Sequence, residues 1–281
     1  MKAISQSLFP KRAPDIHKYA AGTVAVVGGS ARYPHAPVIA ALGARAAGAG
    51  LVQLVAPDES RAAAGCHVPE ATFTSLAPAC KFPKADVVAV GMGLGAERAA
   101  EELLHRLLQS AGRVVIDADA LAVLAGWRAR GAALPAVEGR AFVLTPHEGE
   151  AARLLGCRPD EVHADRPSAL RRIVERYGSV VVLKGRHTLV GAPGRDDVFE
   201  CGAGNPFMAM GGMGDLLSGI VAARWARLVR CGADDPFGAA SAAVWLHAAA
   251  SDSIVMADPP GDPSIANTAR AVSSIRTMQE R

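Results

Sequence analysis

The 281-residue sequence predicts an α/β protein built on a mostly parallel sheet. Three features predict it: short, apolar, β-branched runs recur along the chain, stretches rich in Ala, Leu and Arg with helical spacing separate them, and a glycine closes most of those stretches. Continuous apolar runs suit strands buried on both faces, and strands alternating with helices predict parallel pairing.

Six runs read as strands: TVAVVGG from Thr23, LVQLVAP from Leu51, DVVAVGMGLG from Asp86, RVVIDADAL from Arg113, FVLTPHE from Phe142 and SVVVLKG from Ser179. Between them, APVIAALGARAAGAG, ERAAEELLHRLLQSAG, GEAARLLG and SALRRIVERYG carry helical spacing, and a closing glycine can serve as C-cap. KGRHTLVGAPGRDDVFECG reads as two short strands around the Pro193-Gly194 turn, followed by helices over 214–229 and 236–253. No linker or repeat interrupts this order, so one domain is expected over 1–281, with no element assigned from Asp258 onward.

Half of the residues are hydrophobic and a fifth charged, ordinary for a soluble enzyme. A net charge of +3, with dispersed Lys and Arg, argues against a nucleic-acid or anionic-membrane partner. The N-terminus has no signal-like apolar segment and no run of membrane-spanning length occurs, so a cytoplasmic protein acting on small molecules is expected. The five cysteines are odd in number and widely spaced, which fits neither a disulfide framework nor a zinc site; small core residues are expected there.

In open α/β sheets ligands bind beyond the carboxyl ends of the strands. The richest such segment is GGMGDLLSGI. Glycines before a helix let the backbone approach a ligand, and the unpaired first-turn N–H groups face an anion with the helix dipole behind them. Gly211, Gly212 and Gly214 therefore form a candidate anion hole for a phosphoryl group in transfer, and Asp215 a candidate base for an attacking hydroxyl. The bland alternative is a first-turn carboxylate that only offsets the dipole.

Gly91, Gly93 and Ala96 satisfy a dinucleotide fingerprint, with Asp117 ending the next strand. Two strand–helix units already precede it, however, whereas that fingerprint normally opens its domain. In TPHEGE, Thr145 as N-cap and Pro146 at the first helical position make a good helix start, which leaves His147 directed into the crevice and Glu150 one turn on. Lys184, at the end of VVLKG, opens a turn suited to a nucleotide phosphate or ribose.

Taken together and in order, VVGGS, GMGLG, IDADAL, TPHEGE, VVLKG followed by Thr188, and GNPFMAMGGMGDLLSGI resemble the ADP- or ATP-dependent NAD(P)H-hydrate dehydratases of the ribokinase-like superfamily. The resemblance runs from about His17 to His247. It implies a three-layer α/β/α fold and repair of (S)-NADHX and (S)-NADPHX, nicotinamide nucleotides hydrated at C6. The nucleotide phosphorylates that hydroxyl and phosphate is then eliminated.

By the same resemblance, Asp215 is catalytic and contacts substrate, Ala36, Gly95 and His147 bind the hydrate with Gly93 nearby, and Lys184, Gly185, Arg186, His187, Thr188 and Gly214 bind the nucleotide. Glu150 helps organise Mg2+. ADP is the expected donor, a homo-oligomer (a tetramer in the family) the expected assembly, and a separate chain the expected source of epimerase activity, since about twenty residues precede the first strand. The chain departs from the family's pattern at Met92, at Tyr33-Pro34-His35 and after Asp252, where a glycine-rich ending is missing. Two rivals are a small-molecule kinase of the same superfamily, of the hydroxyethylthiazole or sugar type, and a nucleotide-binding regulatory module without turnover.

Overall fold

The strand-forming runs assemble into one nine-stranded sheet. The computed structural model describes residues 4–77, 80–95, 97–131 and 140–281. The strands are β1 (Thr23–Val27), β2 (Leu51–Ala56), β3 (Thr72–Ser75), β4 (Val87–Val90), β5 (Arg113–Ile116), β6 (Ala141–Leu144), β7 (Val180–Leu183), β8 (Leu189–Gly191) and β9 (Phe199–Glu200), in spatial order 3-2-1-4-5-6-7-8-9. The first seven pair in parallel; β8 and β9 fold back antiparallel. All six expected strands are present, as are the two short ones around Pro193-Gly194.

Among the described residues, ten helices connect and cover the sheet: α1 (Ala36–Ala46), α2 (Arg61–His67), α3 (Arg98–Ser110), α4 (Asp119–Ala129), α5 (Glu148–Leu155), α6 (Pro159–Ala164), α7 (Arg166–Tyr177), α8 (Met213–Arg230), α9 (Pro236–Val255) and α10 (Ile265–Gln279). Alternate residues of β1 separate onto two cores: Val24 and Val26 pack with α1, α8, α9 and α10, while Ala25 and Val27 pack with α3, α4, α5 and α7. The result is the expected three-layer α/β/α arrangement. Its chain order reverses between β1 and β4, the kind of switch point where a ligand crevice opens.

Helix α8 is the centre of one layer, buried over most of its length. It crosses α1 so closely that a Cβ on Gly43 would run into the Leu216 carbonyl, and one on Gly219 into the Ala40 carbonyl. Those two glycines set how near α8 lies to α1, and with it where the α8 N-terminus falls.

The expectation that the cysteines are core residues holds for Cys201 alone. Cys66 and Cys231 are exposed, and Cys80 and Cys157 half-buried. Both are short side chains at the edges of helices: Cys66 lies in α2, where only Ala64 is buried, and Cys231 caps the end of α8.

A buried charge cluster ties both ends of the chain to α8. Arg224, fully buried, donates from Nη1 to Glu280 Oε1 (2.6 Å) and from Nη2 to the Leu8 carbonyl (2.6 Å), and its guanidinium lies 4.6 Å from the Phe9 ring centroid. Arg276 and Arg12 reach Glu280 Oε2 at 2.6 and 3.1 Å. Arg227 donates to the Lys11 carbonyl at 2.8 Å. Burial alone would raise the Glu280 carboxyl, but Arg224, Arg276 and Arg12 hold it below its ordinary value. Burial lowers Arg224, without taking a guanidinium out of its charged range.

Removing the shared anion strands three guanidinium groups, so Glu280→Ala is expected to cost about 3 to 5 kcal/mol of stability at neutral pH. Because the folded-state carboxyl titrates below its unfolded value, wild type should keep this advantage above about pH 4.5 and lose it as the pH falls further. Denaturant melts of the two proteins at neutral and acidic pH check both statements.

Candidate active site

The loops after β1, β4, β5, β6 and β7 meet one another at the carboxyl edge of the sheet, and α8 starts beside those after β5 and β7. Gly212, in the left-handed region at φ +93°, is the helix N-cap and offers no side chain, so the first-turn N–H groups are left open to a ligand. The positive φ is what favours glycine there; a Cβ would also come within 2.9 Å of Ile39 Cδ1, a side-chain end that can shift. Asp215 is the third residue of the helix.

A mostly buried ion pair fixes this helix start against the sheet. Lys184, just after β7, donates from Nζ to Asp117 Oδ1 at 2.8 Å, with Glu150 Oε2 at 3.7 Å. The second oxygen of Asp117, just after β5, accepts from the Ser218 hydroxyl at 2.6 Å, one turn into α8. A Cβ on Gly214 would lie 3.3 Å from the lysine ammonium, so the helix start and the cation are neighbours. The side chains are 17% exposed for Lys184 and 2% for Asp117. Asp117 thus belongs to this junction; both its oxygens are engaged, which removes it from the ribose-binding role that a dinucleotide fingerprint would give it. Ala96, the last position of that fingerprint, lies outside the described residues.

The electrostatics follow from this crowding. Burial, then Asp117, push the Asp215 carboxyl up, Asp119 and Glu150 add to it, and Lys184 opposes them; the outcome is a pKa raised to about 7. For Lys184, burial alone would lower the ammonium, but Asp117, Glu150 and Asp215 hold it above its ordinary value. The ammonium therefore stays charged, while Asp215 is poised to exchange a proton near neutrality.

His147 departs from expectation. Thr145 is buried and Pro146 remains extended, its carbonyl accepting from the Lys184 amide at 2.8 Å, so the helix start moves two residues on. His147 is itself the N-cap of α5: Nδ1 accepts from the Gly149 and Glu150 amides (3.0 and 3.4 Å), and Glu150 Oε2 accepts from the His147 amide at 2.8 Å. With Nδ1 accepting, the neutral ring carries its proton on Nε2, which lies 3.6 Å from Glu150 Oε1. Glu150 is therefore a capping residue as well as a candidate near a metal, and its side chain is 11% exposed.

At the switch point, the Gly29 amide donates to the Met92 carbonyl at 2.8 Å, so the loops after β1 and β4 lie side by side. A Cβ on Gly93 would sit 2.7 Å from Tyr33 and 3.1 Å from Ala36, while the Gly95 amide donates to Asp119 Oδ2 at 2.8 Å. Ala36, Gly93 and Gly95 are thereby brought together. The segment 184–188 is the β7–β8 hairpin loop, with Gly185 at φ +144° and the Thr188 hydroxyl donating to the Gly185 carbonyl at 3.0 Å. The two non-glycine residues with positive φ among the described residues, Ala118 and His187, both lie in these strand-end loops, where strain is commonly held for function.

Sequence reasoning missed three supporting residues, Ser218, Asp252 and Arg166, and gave Asp119, marked there only by its place just after a strand, no role. Asp252 accepts from the Gly204 amide and the Asn205 side chain, both at 2.8 Å, and so anchors the segment leading into the anion hole. Only Ser218 left a trace, as a hydroxyl one turn after Gly214; the others act across long sequence separations.

Among the described residues no cluster of three or more His, Cys, Asp or Glu side chains is placed to hold a metal alone. Mg2+ keeps several waters and takes one or two carboxylates together with substrate phosphates, a demand that the Glu150 carboxylate has the chemistry to meet. A cavity of about 400 Å³ does open at the other end of the strands, lined in part by Arg12, His17, Arg45 and Glu70, away from this chemistry. No described helix is long and apolar enough to cross a membrane.

Asp215 is expected to titrate near pH 7, and Lys184→Met, by removing the cation that opposes its protonation, should raise that midpoint. The carboxyl carbon shift followed against pH checks both. Since a raised carboxyl favours the folded state only while protonated, Asp215→Asn should melt above wild type at pH 8, the difference shrinking towards pH 4.

The profile of the NAD(P)H-hydrate dehydratase family matches residues 24–265. The ADP-dependent (S)-NAD(P)H-hydrate dehydratase of Neisseria meningitidis is 40% identical over 88% of this chain and 82% of that one. The bifunctional NAD(P)H-hydrate repair enzyme of Vibrio cholerae is 38% identical over 89% of this chain; the chain spans about half the length of that relative, 48%. Among solved structures, the ADP/ATP-dependent NAD(P)H-hydrate dehydratase of Bacillus subtilis, crystallised with ATP and Mg2+, matches with a TM-score of 0.80 at 25% identity, covering 96% and 95% of the two chains. A ribokinase-like protein at 24% identity and a TM-score of 0.82 shows the fold.

Proposed function

The chain belongs to the NAD(P)H-hydrate dehydratase family, and on that premise we propose that it dehydrates (S)-NADHX and (S)-NADPHX to NADH and NADPH at the expense of ADP or ATP. One observation carries the reading: a carboxyl with a pKa of about 7 stands in the first turn of a helix whose glycine-rich start faces the crevice.

The chemistry needs that arrangement. Hydroxide leaves poorly from C6, whereas phosphate leaves well. Asp215 takes the proton of the C6 hydroxyl as its oxygen attacks the terminal phosphoryl group of the nucleotide, and the amides at Gly211, Gly212 and Gly214 stabilise the charge on the transferring oxygens. With ADP the leaving product is AMP. The C6–O bond then breaks with both electrons going to phosphate, C5 loses a proton and the C5=C6 double bond re-forms. Mg2+, organised through Glu150 together with the phosphates, would neutralise phosphate charge.

In this reading, Ala36, Gly95 and His147 border the hydrate, with Nε2 of His147 as donor, and the loop 184–188 with Gly214 borders the nucleotide. Lys184 serves both sides: it joins the nucleotide loop to Asp117 and sets the field at Asp215. ADP is the proposed donor.

The purified protein, given hydrated NADH, Mg2+ and either ADP or ATP, should restore the absorbance of reduced nicotinamide only when nucleotide is present. Asp215→Asn should slow this at least roughly 10²-fold while nucleotide binding persists. Accumulation of a stable phosphorylated product without recovery would instead support a small-molecule kinase.

A further inference from the structure

Arg166 opens α7, far from the crevice in sequence, yet its guanidinium lies against the loop 184–188. Nη1 donates to the Arg186 carbonyl and to that of His187 at 3.3 Å; Nη2 donates to the Leu183 and Lys184 carbonyls at 3.2 and 3.4 Å. Nε lies 3.1 Å from Glu148 Oε1. Glu148 is the first residue of α5, set between His147 and Glu150, and its other oxygen meets His163 Nδ1 at 3.0 Å.

The two terminal nitrogens are committed to four hairpin carbonyls, while Nε faces Glu148 as an ion pair and has no hydrogen-bond partner. With both ends of the fork held by carbonyls, the effect of Arg166 is on the backbone. It draws four carbonyls of one short hairpin to a single point. Gly185 fits the same arrangement, since its φ of +144° excludes most side chains and a Cβ there would lie 2.9 Å from Arg166 Nη2. His187, at φ +54°, is kept in its strained conformation within the same set of contacts.

We propose that Arg166 is the positioning residue of the nucleotide loop and that, through Glu148, it ties this loop to the α5 start carrying His147 and Glu150, so that the nucleotide and hydrate sides of the crevice are set as one unit. This rests on reading 184–188 as the nucleotide-binding loop. Lysine cannot replace it, because one ammonium on a flexible stem cannot span four carbonyls in a plane.

Titration calorimetry with ADP and ATP in the presence of Mg2+ tests this, alongside steady-state kinetics with the hydrate. Arg166→Met and Arg166→Lys should both weaken nucleotide binding by about tenfold or more, raising the nucleotide KM far more than they lower kcat. Arg176→Met is the control: Arg176, on the same helix, donates to the Leu154 and Leu155 carbonyls (3.1 and 2.8 Å) away from the loop, and its loss should lower Tm yet leave nucleotide affinity unchanged.

Three results would overturn the proposal: a folded Arg166→Met protein with wild-type affinity, full affinity in Arg166→Lys, or an equal loss in Arg176→Met. Should Arg166→Met not fold, Glu148→Gln decides, since it removes the charge facing Nε, with His163→Gln as the control for the other Glu148 oxygen; several-fold weaker nucleotide binding in Glu148→Gln alone supports the proposal and unchanged binding overturns it. Wild-type protein that binds no nucleotide overturns the loop reading and this inference together. Wild-type protein that binds nucleotide without turning over the hydrate overturns the dehydratase reading alone, and the affinities of the variants still decide the role of Arg166.

Discussion

The ion pair between Lys184 and Asp117 is the constraint on which the crevice depends. It joins the ends of β7 and β5, and through Ser218 it holds the α8 start against both. Taking two charges from water is costly, and their attraction compensates only where geometry is good and the remaining lone pairs are satisfied. Here the second Asp117 oxygen has Ser218 and the ammonium has Glu150 nearby. The same cation is the only one among the groups that shift Asp215, so the contact that shapes the crevice also sets the proton affinity of its base.

Two further constraints converge on α8. The Gly43 and Gly219 contacts fix its distance from α1, and the Arg224–Glu280 cluster fixes its far half to both chain ends. An anion hole made of backbone amides works only if it cannot relax when charge develops on the ligand, and a helix held along its whole length meets that demand. Ala36 lies on the helix that α8 crosses, so the side of the crevice proposed for the hydrate inherits the same registration.

Much of this was legible in the sequence because the signals were local. β-Branched runs bounded by Gly, Pro or Asp marked six of the seven parallel strands, and three glycines before one aspartate marked the α8 start. What escaped had no local signal. β3 is a four-residue, half-exposed edge strand; α4 is apolar on nearly every side and so lacks a helical stripe; α10 buries only Thr268, Ala269, Val272 and Arg276 of its fifteen residues. The N-cap of α5 was misplaced because Pro146 suggested a first helical position, whereas its carbonyl serves the Lys184 amide and keeps it extended. Asp117 was visible as a strand end, but its partners Lys184 and Ser218 lie 67 and 101 residues away. Arg166 read as one more basic residue on a helix.

In the proposed reaction the hydrate's own hydroxyl oxygen is phosphorylated beside Asp215 and leaves as part of phosphate. Hydrate carrying heavy oxygen at the C6 hydroxyl decides this, with the released phosphate analysed by mass spectrometry after a single turnover. The label should appear in inorganic phosphate, one heavy oxygen for each reduced nicotinamide formed. Label recovered in water, with unlabelled phosphate, would show that the C6–O bond breaks without a phosphorylated intermediate and would contradict the proposed reaction.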